Sequence, residues 1–166
     1  MKKIVIHWTG GNYTPNEKEL ESYHFIVDNF GKIHAGNYTP LDNKNCYDGK
    51  YAKHTGGGNT NSIGIAIAGM FGYKNKDSVG NFPITRLQFE ACMKKVAELT
   101  KTYGIVISPQ TVLTHYEFGL LHPKTSSAGK PDIEFLPPFP KLKSSEIGDF
   151  IRQKVKWYKN KINFSP

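Results

Sequence analysis

Apolar and polar positions alternate over short stretches near the start of the chain and recur at helical spacing further on. Lys2 to Trp8 reads as a short, mostly buried strand ending at His7, followed by the turn formers Thr9-Gly10-Gly11-Asn12. Residues 22 to 36 read as a hairpin. Tyr23, Phe25 and Val27 alternate with His24, Ile26 and Asp28, and Asn29-Phe30-Gly31 turns the chain into Lys32-Ile33-His34-Ala35. Residues 37 to 61 are loop-like, rich in Asn, Gly, Tyr and Thr. The apolar run from Ser62 to Gly69 fits a central strand covered on both faces. Within it Gly64 weakens the strand unless another group passes close by.

Helical spacing is clearest from Thr85 to Tyr103, where Phe89, Cys92, Val96, Leu99 and Tyr103 share a face. Thr85 with Gln88 forms a capping box, and Gly104 ends the helix. Thr111 to Thr114 reads as a short strand delivering His115, and Gly119 to Pro140 as irregular chain. A second helix covers about Ser145 to Ile162, with Ile147, Phe150, Ile151, Val155, Tyr158 and Ile162 on one face and lysines on the other. Such a helix packs on a sheet or lies on a membrane surface. No linker or repeat divides the chain. The pattern predicts an α/β fold over residues 1–166, a single domain with a mixed central sheet flanked by helices.

Composition narrows the function classes. No stretch approaches a membrane span, and Ile4-Val5-Ile6 is broken by His7 before it can serve as a signal segment. Synthesis without a signal peptide, in the cytoplasm, is therefore expected. Two cysteines, Cys46 and Cys92, do not make a disulfide framework, and Cys92 falls in the helical apolar pattern as a buried thiol. The net charge of +8 draws the surface to polyanions. No nucleic-acid motif accompanies it, so nucleic acid is not an expected partner.

Six histidines are the chemical raw material: His7, His24, His34, His54, His115 and His122. None are paired as HxxxH or HExxH, so any metal ligands must come from separate strand ends and loops. His7 and His115 both end strand-like runs, where α/β domains gather their active sites. Lys130-Pro131-Asp132 offers a cation and a carboxylate in a stiffened loop. A strand-end histidine is also an ordinary hydrogen-bonded residue, and Lys-Pro-Asp an ordinary turn. The residues by themselves leave both readings open.

Five segments in order carry a resemblance. They are Ile4-Val5-Ile6-His7-Trp8-Thr9-Gly10-Gly11; Ser22-Tyr23-His24-Phe25-Ile26-Val27-Asp28 with Gly31-Lys32-Ile33; Asn61-Ser62-Ile63-Gly64-Ile65; Thr114-His115-Tyr116-Glu117; and Ser127-Ala128-Gly129-Lys130-Pro131-Asp132-Ile133. Over residues 3 to about 138 the chain resembles the type-2 N-acetylmuramoyl-L-alanine amidases, a family that includes phage lysozyme-type amidases and is related to peptidoglycan recognition proteins. The resemblance implies zinc held by His7, His115 and Asp132, with Lys130 as catalytic cation and Tyr23 as catalytic hydroxyl. It matches His54 to a substrate-contacting groove position. His24, expected on the strand face opposite Tyr23, reads as structural.

The chain departs from the family pattern in three respects. Aspartate stands at position 132 where many members have cysteine, and zinc accepts either. The long interval after His115 leaves His122 as a rival ligand. Ala66 stands where some members carry a glutamate base, leaving more of that role to Tyr23 or leaving zinc-bound hydroxide to serve without a strong base. The implied activity is zinc-dependent cleavage of the amide between N-acetylmuramic acid and L-alanine, by a monomeric phage or prophage endolysin acting on the cell wall after release. A non-catalytic peptidoglycan-binding module is the alternative on the same fold. A further expectation is electrostatic contact between the basic C-terminal helix and the anionic envelope.

Overall fold

The structure is a computed structural model that describes residues 1–164. In chain order it comprises β1 (Lys3–Trp8), α1 (Glu17–Ser22), β2 (Phe25–Val27), β3 (Ile33–Ala35), a 3-10 helix (Pro40–Lys44), β4 (Ser62–Ile67), α2 (Arg86–Tyr103), β5 (Val112–Thr114), α3 (His115–Leu121) and α4 (Ser144–Phe164). The five strands form one sheet in the order β3-β2-β4-β1-β5. All neighbours are parallel except the β2–β3 hairpin. This is the expected mixed α/β sheet.

Alternation along the strands divides the molecule into two faces. Ile4, Ile6 and Trp8 of β1, Ile63, Ile65 and Ile67 of β4, and Val27 of β2 join the main core with Phe89, Cys92, Met93 and Val96 of α2 and Ile147, Ile151 and Val155 of α4. Each such buried side chain contributes roughly 1.5–3 kcal/mol of transfer free energy. The opposite face carries Val5 and His7 of β1, and Val5 packs with Leu113 and Phe118 in a smaller cluster. Small residues line β4 on that face, namely Ser62, Gly64 and Ala66, all buried. They leave room for a layer of histidines.

Helix α2 begins with the expected capping box, in which Thr85 Oγ1 accepts from Gln88 N at 3.1 Å and Gln88 Oε1 accepts from Thr85 N at 3.0 Å. It ends at Gly104, whose φ of 64° suits glycine. The Gln88 amide is buried and donates to Ala68 O and Val27 O, tying the helix start to the sheet. Helix α4 packs along α2, and Lys154 and Tyr158 both reach Glu90. Its apolar face lies in the protein core rather than on a membrane. No described helix is long and apolar enough to cross one.

Four elements depart from the sequence expectation. Helix α1, the 3-10 helix and α3 occupy stretches without a helical reading, because five to seven residues show too little of a 3.6-residue period to register. Both α1 and α3 nevertheless carry capping boxes, Asn16 with Glu19 and Thr114 with Glu117. Strand β2 begins only at Phe25. Tyr23 and His24 precede it, so strand alternation does not separate them.

Candidate active site

His7 is the penultimate residue of β1, a strand with parallel neighbours on both sides, and is fully buried. His115 follows the end of β5 as the first residue of α3, where Thr114 caps the helix. Asp132 comes from the Pro131 loop, held near α3 because Tyr116 N donates to Asp132 O. The three side chains converge. Asp132 Oδ2 lies 2.9 Å from His7 Nδ1 and 3.1 Å from His115 Nδ1, and the two Nδ1 atoms are 3.2 Å apart. Among the described residues this is the group of side chains arranged to hold a metal ion.

Electrostatics favours a charged Asp132 carboxylate facing a neutral His7 ring. Burial raises the Asp132 pKa, but hydrogen bonds from His115 and His7 and their charge outweigh it and hold the carboxyl below its usual range. Burial lowers His7 to about 4 against the pull of Asp132. Two imidazole nitrogens and a carboxylate oxygen in mutual contact suit a divalent cation, and zinc accepts this donor set. The fit rests on those three atoms.

A cleft of about 540 Å³ opens at this point, and Tyr23, His54, His115, Lys130 and Asp132 are among the residues lining it. The Tyr23 ring centroid is 5.1 Å from that of His7. Burial, then the Asp132 and Glu19 carboxylates, push its phenol pKa well up. The hydroxyl therefore stays protonated at neutral pH. Lys130 is exposed at the rim, on a turn closed by its N–H to Ser127 O.

His54 is only 6% exposed, and both ring nitrogens are engaged within the protein. Nδ1 meets Thr55 Oγ1 at 2.7 Å and His7 Nε2 at 3.2 Å, while Nε2 meets Ser62 O at 3.3 Å. It borders the cleft, and its polar atoms back His7. His24 is structural as expected. Its Nδ1 accepts from Gly64 N and its Nε2 meets Asn43 Oδ1, both at 2.9 Å. Its ring nonetheless stands beside that of His54, with centroids 5.6 Å apart, on the side from which His54 backs His7.

The remaining histidines lie elsewhere. His34 pairs with Asp28 within the hairpin, and His122 is exposed at the end of α3 against the Phe118 ring. His122 is therefore not a member of the ligand group. Sequence reading assigned no role to Thr55 or Ser127, which contact the outer nitrogens of His7 and His115. No local pattern marks either residue, because the contact with His7 spans 48 positions.

Comparison with known proteins gives a family and a fold. The model of the N-acetylmuramoyl-L-alanine amidase family matches residues 1–130. That span holds His7 and His115 and stops short of Asp132 and α4. No curated protein sequence matches the chain. Among solved structures, a mutant of PlyL is 24% identical with a TM-score of 0.52, over 93% of this chain and 84% of that one. The amidase LysC from Clostridium intestinale URNW is 17% identical with a TM-score of 0.48, over 78% of each chain. Drosophila peptidoglycan recognition protein SD is 16% identical with a TM-score of 0.49, over 76% of this chain and 74% of that one. At these identities the likeness speaks to the fold alone.

Proposed function

This chain belongs to the N-acetylmuramoyl-L-alanine amidase family, and from that premise we propose that it hydrolyses the amide between N-acetylmuramic acid and L-alanine in bacterial peptidoglycan, with zinc as its metal. The observation that carries this reading is the meeting of His7 Nδ1, His115 Nδ1 and Asp132 Oδ2 beside an open cleft. Those three residues would hold the ion and leave a position for water, as catalytic zinc sites do. Bound there, zinc supplies Lewis-acid polarisation and a water whose pKa approaches about 7.

The protein's own groups complete the chemistry. Asp132, held charged and buried, balances the positive charge at the centre. As the amide carbonyl becomes tetrahedral its oxygen gains negative charge, and the Lys130 ammonium at the rim stabilises it. A donor at such a position is typically worth about 3 kcal/mol. The Tyr23 hydroxyl, kept protonated, donates a hydrogen bond that orients the attacking water or the oxyanion. His54 supports the site from behind His7.

Mass spectrometry of purified peptidoglycan after digestion tests the proposal. Free stem peptides beginning with L-alanine, lost on chelation and restored by zinc, are the expected result. Stems that remain on their sugars, with wall binding retained, would replace it with a binding module. We further read the protein as a phage or prophage endolysin. The five-segment resemblance to a family that includes phage amidases supports that setting, and the +8 charge would aid approach to anionic envelope polymers. Lysis of outer-membrane-permeabilised or Gram-positive cells by added protein checks it.

A further inference from the structure

The far sides of the two histidines are held by one short stretch of chain, His54-Thr55-Gly56. Thr55 Oγ1 lies 3.3 Å from His7 Nε2. Gly56 O accepts from Ser127 Oγ at 2.7 Å, and the same hydroxyl lies 3.0 Å from His115 Nε2. Thr55 and Ser127 are both fully buried.

With a cation in place of any proton between each Nδ1 and Asp132, proton accounting places the outer hydrogens. Gly56 O can only accept, so the single proton of the Ser127 hydroxyl goes there. Ser127 Oγ therefore accepts from His115, which puts a proton on Nε2 and leaves the Nδ1 lone pair for the cation. Ser62 O likewise can only accept, so His54 donates from Nε2 at 3.3 Å and its Nδ1 is an acceptor. The Thr55 hydroxyl donates to that Nδ1 at 2.7 Å. His7 Nε2–H is left to donate to Thr55 Oγ1 and His54 Nδ1 at 3.3 and 3.2 Å. Its Nδ1 lone pair is likewise left for the cation.

We infer that Thr55 and Ser127 are positioning residues that fix the metal-binding tautomers of His7 and His115. Each couples one ligand to a backbone carbonyl that has no choice of role: Ser62 O through His54 for His7, and Gly56 O directly for His115. Neither hydroxyl touches substrate. The inference rests on the zinc reading proposed above, because a set tautomer matters only if Nδ1 binds a metal. Partners of this kind typically change metal affinity by about tenfold to a hundredfold.

Zinc affinity, measured by competition with a chromogenic chelator, tests it without reference to turnover. Thr55→Val keeps the shape of the side chain and removes the hydroxyl, whereas Thr55→Ser keeps the hydroxyl. The expected result is about a tenfold or greater loss for Thr55→Val, near-native affinity for Thr55→Ser, and a comparable loss for Ser127→Ala. Melting of the zinc-free proteins, read alongside, identifies any variant that does not fold. Ser127→Ala removes a single oxygen and keeps the test available should Thr55→Val fail. Folded Thr55→Val or Ser127→Ala protein with native zinc affinity would overturn the inference alone. Wild-type protein that binds no zinc would overturn the metal reading beneath it.

Discussion

Gly64 and His54 stand so close that no side chain fits between them: a Cβ built on Gly64 would lie 2.3 Å from His54 Cγ and 2.6 Å from Cδ2. The imidazole that backs His7 thus rests directly on the bare backbone of β4. This answers why a glycine interrupts a central strand. Gly64→Ala is expected to destabilise the protein by about 2 kcal/mol through overpacking. In a His54→Ala background the same change should cost little, because its clash partner is gone. Urea unfolding of the four proteins gives the cycle. Additive effects would mean that the strand, rather than His54, needs the glycine.

Lys130 and His115 border one cleft but are expected to fail differently. Lys130→Ala should retain zinc and lose about a hundredfold or more in turnover, the scale of one oxyanion donor. His115→Ala should lose both. Bound zinc after gel filtration and the rate of stem-peptide release separate the two. Equal zinc loss would remove the division of roles.

Arg152 joins the C-terminal helix to the segment that carries His115. Its guanidinium donates to Val112 O and to both Glu117 oxygens, at 3.0 to 3.1 Å, and Glu117 Oε1 also accepts from Thr114 N. Arg152→Met is expected to destabilise the fold by about 3 kcal/mol, because a largely buried partner is left unpaired. A chain ending at Lys143 loses Ile147, Ile151 and Val155 from the core. Circular dichroism of that truncation is expected to show no cooperative melting. A cooperative transition would make α4 a separable surface, free for the envelope contact its outer lysines suggest.

Acid should weaken the fold through His24. Its Nδ1 accepts the Gly64 N–H, so the folded state needs a neutral ring, and burial lowers its pKa from 6.5 to about 4 despite the opposing Asn43 hydrogen bond. Between those values the unfolded chain binds a proton that the native ring refuses. Stability is therefore full above pH 6.5 and falls as the pH drops toward 4, by about 3 kcal/mol in total from this group. Urea midpoints of zinc-free protein at pH 7 and pH 4.5 should fall less in His24→Gln than in wild type. An equal fall would assign the acid sensitivity to other groups.

Much of this protein was legible from local pattern. Alternation predicted the β2–β3 hairpin, helical spacing with two capping residues predicted α2 to within a residue, and the ordered segments resembled one family whose model matches residues 1–130. Helix α4 was equally visible, although its apolar face fits a membrane as well as a core. The short helices α1 and α3 escaped because their hydrophobic period is incomplete, while the Asn16–Glu19 and Thr114–Glu117 capping pairs that could have revealed them were in plain view.

Sequence by itself determined which side chains this protein has available and which local backbone carries them: His7 at a strand end, His115 after another, Asp132 in a proline-stiffened loop. Tertiary structure alone decided how they meet. The contacts of His7 with His115 and Asp132 span 108 and 125 positions, distances over which no local period holds information. It also decided that Tyr23 stands beside His7 and His24 beside His54, that His122 lies outside the site, and that Nδ1 of His7 and of His115 faces Asp132. Such choices depend on which buried acceptor meets which donor, and that is settled only when the sheet brings remote segments together.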